Sequence, residues 1–152
     1  MCGGTLISNR WIVSNAFNTR EQQAASTVVV VGTTHRTVGG TTYNLASINV
    51  NPSYNPNTFV HDISLLQTSQ EVLFTNLVSA AVIGSAHIGV GVSLIAAGWG
   101  ATVSSGAGSP ELLFLRTTTI SNTDCFARFD PEERGQRIED SSLCTFTRIG
   151  EG

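Results

Sequence analysis

Lysine is absent from this 152-residue chain, and charged residues of every kind make up only 12% of it. The basic residues are all arginine: Arg10, Arg20, Arg36, Arg116, Arg128, Arg134, Arg137 and Arg148. They are dispersed along a chain of net charge -3, which excludes the basic face that nucleic acid or an acidic membrane would need. No apolar run approaches the roughly 18 residues of a membrane-crossing helix. Stretches such as Val92-Ser93-Leu94-Ile95-Ala96-Ala97 are of strand length. The N-terminus has no basic start followed by an apolar core, so no signal peptide is expected in this chain. There is no glycine-rich phosphate loop of the Walker or dinucleotide type. His35, His61 and His87 have no helical zinc spacing, and Asp130, Glu132 and Glu133 read as a solvated turn. No metal site and no cofactor are expected.

What is present is threonine, serine, asparagine and glycine, a mixture that suits strands and turns better than long surface helices. Strands are predicted at Thr27–Val31, ending on Gly32, and at Thr41–Val50, followed by the turn Asn51-Pro52-Ser53-Tyr54-Asn55-Pro56. Ile63–Leu66, Val92–Ala97 and Leu112–Ile120 add three more, with a Ser/Gly-rich loop at 104–109 before the last. Frequent turns between short β-branched segments argue an all-β sandwich or barrel. A short helix is expected after Ser121, whose hydroxyl can cap it with Asp124 three residues on. The internal boundary falls at about residues 80–91. The cysteines Cys2, Cys125 and Cys144 form an odd set, which in an oxidising compartment means one pair and one leftover thiol.

Four segments in order carry a resemblance. Cys2-Gly3-Gly4-Thr5-Leu6-Ile7-Ser8, running through Trp11-Ile12-Val13 to Ser14-Asn15-Ala16-Phe17-Asn18, resembles the C-G-G-S-L-I-S…W-V-L-T-A-A-H-C stretch of the chymotrypsin-like (trypsin-fold) serine proteases. Asp62-Ile63-Ser64-Leu65-Leu66 is similar to that family's D-I-A-L-L. Gly98-Trp99-Gly100 resembles its G-W-G, and Ile120–Cys125 with Ser142–Thr145 its intermediate helix and the strand after it. The closest flavour is the digestive proteases of arthropods, and the likeness covers essentially the whole chain. It implies a double β-barrel: a first barrel over 1–85 without its N-terminal edge, and a truncated second barrel over 86–152. It also implies a Cys125–Cys144 disulfide, an extracellular location, and protein or peptide as substrate or ligand.

Phe17 departs from that pattern. It occupies the position of the family's histidine, the general base, and Asn18 takes the place of the neighbouring cysteine. Both exchanges require more than one base change, which argues divergence over a reading slip. Asp62 matches the aspartate that orients the histidine, and it lies 45 residues after Phe17, the interval the family keeps. A serine hydroxyl becomes a nucleophile only when an imidazole takes its proton, and a phenyl ring has no lone pair to do so. The family's G-D-S-G-G-P segment is not among these 152 residues. The resemblance therefore implies a serine endopeptidase relative that is inactive as given, with Asp62 an orphan of the triad. Two rival readings are a fragment of an active secreted endopeptidase, and a non-catalytic homologue that binds proteins or peptides. His61 adjoins Asp62, but residue alternation in extended chain points it away from Phe17. It reads as a surface histidine, and His35 and His87 as loop residues.

Overall fold

The computed structural model describes residues 2–103, 105–128 and 138–147. Ser104, the acidic turn at Asp130, Glu132 and Glu133, and Arg134, Arg137 and Arg148 lie outside the described residues. The chain divides into two compact units, Met1–Gly84 and Ser85–Gly152.

In the first unit, β1 (Thr5–Leu6) and β2 (Trp11–Ser14) form a small hairpin, closed where the Ile7 N–H donates to the Trp11 carbonyl at 2.8 Å. A four-residue helix α1 (Ala16–Thr19), a 3-10 turn at Ala24–Ser26, and strands β3 (Val28–Val31), β4 (Thr41–Val50) and β5 (Ser64–Thr68) follow. The strands pair antiparallel in the order β1-β2-β5-β4-β3. This register places Leu66 of β5 between Ile12 of β2 and Ile48 of β4. Ile12, Leu45 and Leu66 are buried together, with Leu6, Ala24, Val29 and Ile48 packed against them. A break in register between Leu45 and Ser47 is a bulge that raises local twist and bends β4. The sheet curls into a half-barrel around this cluster.

Alternation decides which side chains face inward. In β5 Ser64, Leu66 and Thr68 are buried while Leu65 is exposed. The buried hydroxyls are satisfied, as burial requires. Thr68 Oγ1 donates to the Gln70 carbonyl at 2.7 Å, and the Arg10 guanidinium donates to the Thr68 carbonyl at 2.8 Å. The turn before β4 depends on Gly40, whose φ of +76 is in the left-handed region and where a Cβ would lie 2.7 Å from the Val31 carbonyl oxygen. Gly40→Ala is accordingly expected to destabilise the first unit by about 2 kcal/mol, from left-handed strain plus overpacking. A urea midpoint unchanged from the parent would contradict that.

The second unit holds β6 (Ser93–Gly98), β7 (Leu113–Ile120), helix α2 (Asn122–Arg128) and β8 (Cys144–Phe146), the strands antiparallel in the order β6-β7-β8. It is a partial second barrel. Thr119 organises one end: its hydroxyl donates to the Gly89 carbonyl at 2.7 Å and accepts from the Val92 N–H at 2.9 Å. At α2 the Asp124 N–H donates to Ser121 Oγ at 3.0 Å and that hydroxyl donates to the Asp124 carboxylate at 2.7 Å. The cap therefore forms, with the aspartate meeting the serine hydroxyl and not the backbone N–H of a full capping box. Cys125 of α2 and Cys144 of β8 are bridged by a disulfide with Cα atoms 6.0 Å apart, and the Arg128 guanidinium lies 4.1 Å from the centre of the Phe146 ring. Ile95 and Phe114 stay 59% and 68% exposed, and β6 and β8 are edges among the described strands. Unpaired edges beside exposed apolar side chains recruit other strands. Concentration-dependent self-association is expected, with amides of β6 exchanging faster than those of β5. A monomer at all concentrations with equal protection in both strands would argue otherwise.

The short strands β1, β2 and β8 went unassigned in the sequence. The strand expected at Ile63–Leu66 instead begins at Ser64, because the Ile63 N–H closes a tight turn onto the His61 carbonyl at 2.8 Å.

Candidate functional site

Asn15 ends the β2 hairpin in extended conformation, φ -95 and ψ 148, and α1 begins at Ala16. The first N–H groups of a helix have no partner within it. The Phe17 N–H is one of these, and it donates to Asp62 Oδ1 at 2.6 Å, joining α1 to the residue before β5. A carboxylate acceptor makes this a charge-assisted bond, of the short and strong kind. Behind it a buried hydroxyl pair locks the same two elements. Thr19 Oγ1 donates to the Asn15 carbonyl at 2.7 Å and lies 2.8 Å from Ser64 Oγ, which itself lies 3.1 Å from that carbonyl. Phe17 and Asp62 are thus held by contacts made through neighbours and backbone.

The Phe17 ring is 49% exposed, and it meets the ring of Phe59 edge to face, centroids 5.3 Å apart at 66°. Phe59 was not singled out from sequence, where it is one aromatic within a polar turn. Its position comes from the loop: the Phe59 N–H donates to the Asn55 carbonyl at 2.8 Å and the Asn55 N–H to the Val60 carbonyl at 3.1 Å. Phe59 and His61 both adopt positive φ, 56 and 59. Such conformations cost on the order of 1–3 kcal/mol each and persist where surrounding contacts over-determine them. The same value corrects the alternation argument for His61: the chain there is left-handed, not extended. His61 is exposed, as are His87 of the second unit and the free thiol of Cys2. The Cys2 sulfur lies 3.8 Å from Ser14 Oγ. His35 is half-buried in its own turn, its Nδ1 accepting from the Thr37 N–H at 3.2 Å.

Among the described residues no three His, Cys, Asp or Glu side chains gather to hold a metal ion. A shallow hollow of about 200 Å³ lined by Val31, Gly32, Tyr43, Leu73 and Val78, among others, includes none of Phe17, Phe59 and Asp62. The site is therefore a surface: two half-exposed rings beside one carboxylate, with no nitrogen base touching that carboxylate among the described residues.

Fold and site together define a chymotrypsin-like double β-barrel protein whose second barrel is partial. A crystal structure of the scabies mite inactivated protease paralogue S-D1 superposes with a TM-score of 0.88 over 95% of this chain and 63% of that one, at 20% identity. The family model described as Trypsin matches residues 1–152, and the chain belongs to the trypsin family. Similar sequences include "Trypsin, alkaline C" of Manduca sexta, 30% identical over 95% of this chain and 56% of its own length. Trypsin CFT-1 of Choristoneura fumiferana is 32% identical over the same shares. The chain thus spans about half the length of the relatives it matches, 56% of each.

Proposed function

We propose that this chain is a non-hydrolysing member of the trypsin family that binds protein or peptide without cleaving it. In this reading residues 1–85 form the first barrel and 86–152 part of the second. Phe17 stands in the histidine position and Asp62 is an orphaned triad aspartate. The observation that carries the reading is the contact between them: Asp62 Oδ1 accepts the backbone N–H of Phe17 at 2.6 Å, so the carboxylate still adjoins position 17, where the side chain is a phenyl ring and not a base. A phenyl ring cannot accept a proton, so position 17 supplies no general base, and His61 makes no hydrogen bond with Asp62 among the described residues. The exposed Phe17–Phe59 pair supports retained binding, because aromatic side chains dominate recognition surfaces. The Cys125–Cys144 disulfide supports an extracellular location. The test is turnover of aromatic and basic peptide esters by pure chain, expected at the buffer rate. Turnover that Asp62→Asn abolishes would overturn the reading.

A second reading follows from length. The chain matches 56% of its relatives' extent, which favours a piece of a longer secreted trypsin-family protein with a serine but no general base. Full-length transcripts are expected to continue into a G-D-S-G-G-P-like segment and to keep Phe17. A histidine codon at position 17 would make the parent an active protease and the phenylalanine an error.

A further inference from the structure

We propose that the surface formed by Phe17, Phe59 and Asp62 binds a quaternary ammonium group, of the trimethylammonium type that ends choline and trimethyl-lysine. The inference rests on the reading of this site as one that binds without hydrolysis, and it names the chemistry bound. Both rings are partly open to solvent, Phe17 at 49% and Phe59 at 38%, and they lean together at 5.3 Å. That spacing is too close to hold a cation between them, so a cation sits on an outer face of the pair. The Asp62 carboxylate is fixed at the base of the Phe17 side chain by its bond to the Phe17 N–H. Aromatic faces and a carboxylate both attract positive charge.

The donor count selects the kind of cation. Asp62 makes no other hydrogen bond or ion pair among the described residues, so the site offers little more than one carboxylate oxygen as a strong acceptor. A primary ammonium brings three N–H donors and a guanidinium five, and those turned toward the rings would lose water without gaining a partner here. A trimethylammonium carries its charge on carbon-bound hydrogens and has no N–H to satisfy. Its methyl groups also suit the apolar rings. Arg20, at the end of α1, pairs with Glu21 at 3.0 Å and makes no ion pair with Asp62.

Phe59 is held in place before any ligand arrives. Its loop is closed by the Phe59 N–H to Asn55 and by the Asn57 N–H on Asn55 Oδ1 at 2.9 Å, despite the left-handed backbone at Phe59 and His61. Ligand binding therefore requires little ordering of the backbone that carries Phe59.

The experiment is an NMR titration of the full chain at pH 8 and low salt with choline, and in parallel with 3,3-dimethyl-1-butanol, which has the same shape without the charge. Choline is expected to bind about tenfold more tightly than the alcohol, with shifts centred on Phe17, Phe59 and Asp62. Asp62→Asn keeps an acceptor for the Phe17 N–H, and is expected to weaken choline about fivefold while leaving the alcohol unchanged. Phe17→Leu and Phe59→Leu are each expected to weaken choline about threefold. Unchanged amide shifts in β2 and β5 would show that these variants remain folded. Equal affinity for choline and the alcohol, no choline binding, or ethylammonium binding as tightly as choline would each overturn the inference. The two claims separate cleanly: cleavage of a blocked peptide in the same samples removes the non-hydrolysing reading, whereas peptide binding without choline binding removes only this one.

Discussion

Replacing Phe17 by histidine is expected to leave the 152-residue chain as silent toward peptide esters as its parent. A general base accelerates hydrolysis only by taking a proton from a hydroxyl placed to attack the carbonyl. The imidazole would stand beside Asp62, which approaches position 17 closely enough to accept its backbone N–H at 2.6 Å. These 152 residues contain no G-D-S-G-G-P segment to supply the hydroxyl it would activate. Members of a triad act as a unit, and removing the nucleophile or the base alone costs on the order of 10⁶-fold in kcat. Restoring one of two missing members recovers almost nothing of that factor. Initial rates on activated esters, which report acyl transfer even where amide cleavage is slow, check this. A rate in Phe17→His that exceeds the parent and vanishes on adding Asp62→Asn would mean that another hydroxyl of the chain serves as nucleophile.

How much of this was legible in the sequence depends on where the information was stored. The strands at 28–31 and 41–50 were visible because β-branched runs end on glycine or on an Asn-Pro turn, and both signals are local. The inward face of β5 was not, since two of its three buried side chains are Ser64 and Thr68, whose hydroxyls read as polar until Asn15, Thr19 and Gln70 are seen to satisfy them. The strands β1 and β8, of two and three residues, are too short to show any alternation. The pairing of Phe17 with Asp62 was readable as an interval. That the carboxylate would meet a backbone N–H was not, because residue types carry no record of main-chain partners. Phe59 was missed for a related reason. It reaches Phe17 through two left-handed residues, at positions where neither glycine nor asparagine marks the sequence.

The largest effect on stability is expected from opening the Cys125–Cys144 disulfide. It closes a span of 19 residues joining α2 to β8, the shortest strand of its sheet. In the chain-entropy description a loop of this size removes about 3 kcal/mol of freedom from the unfolded state. Beyond the bridge, α2 meets β8 through the Arg128–Phe146 contact, and β8 pairs with Thr118, Thr119 and Ile120 of β7. A cation–π contact at an exposed position contributes only about 0.5–1 kcal/mol, too little to replace the bridge. Reduction, or Cys125→Ala with Cys144→Ala, should therefore release β8 from β7 and lower the stability of the second unit by about 3 kcal/mol. The first unit, whose lone cysteine Cys2 is exposed and unbridged, should keep its own midpoint. Thiol labelling before reduction should mark Cys2 alone, and after reduction all three cysteines. A denaturant titration that follows Trp11 in the first unit and Trp99 in the second separates the two transitions. An unmoved Trp99 transition on reduction would show that the span between α2 and β8 is ordered without its crosslink, and a Cys2 bridge to Cys125 or Cys144 would overturn the pairing itself.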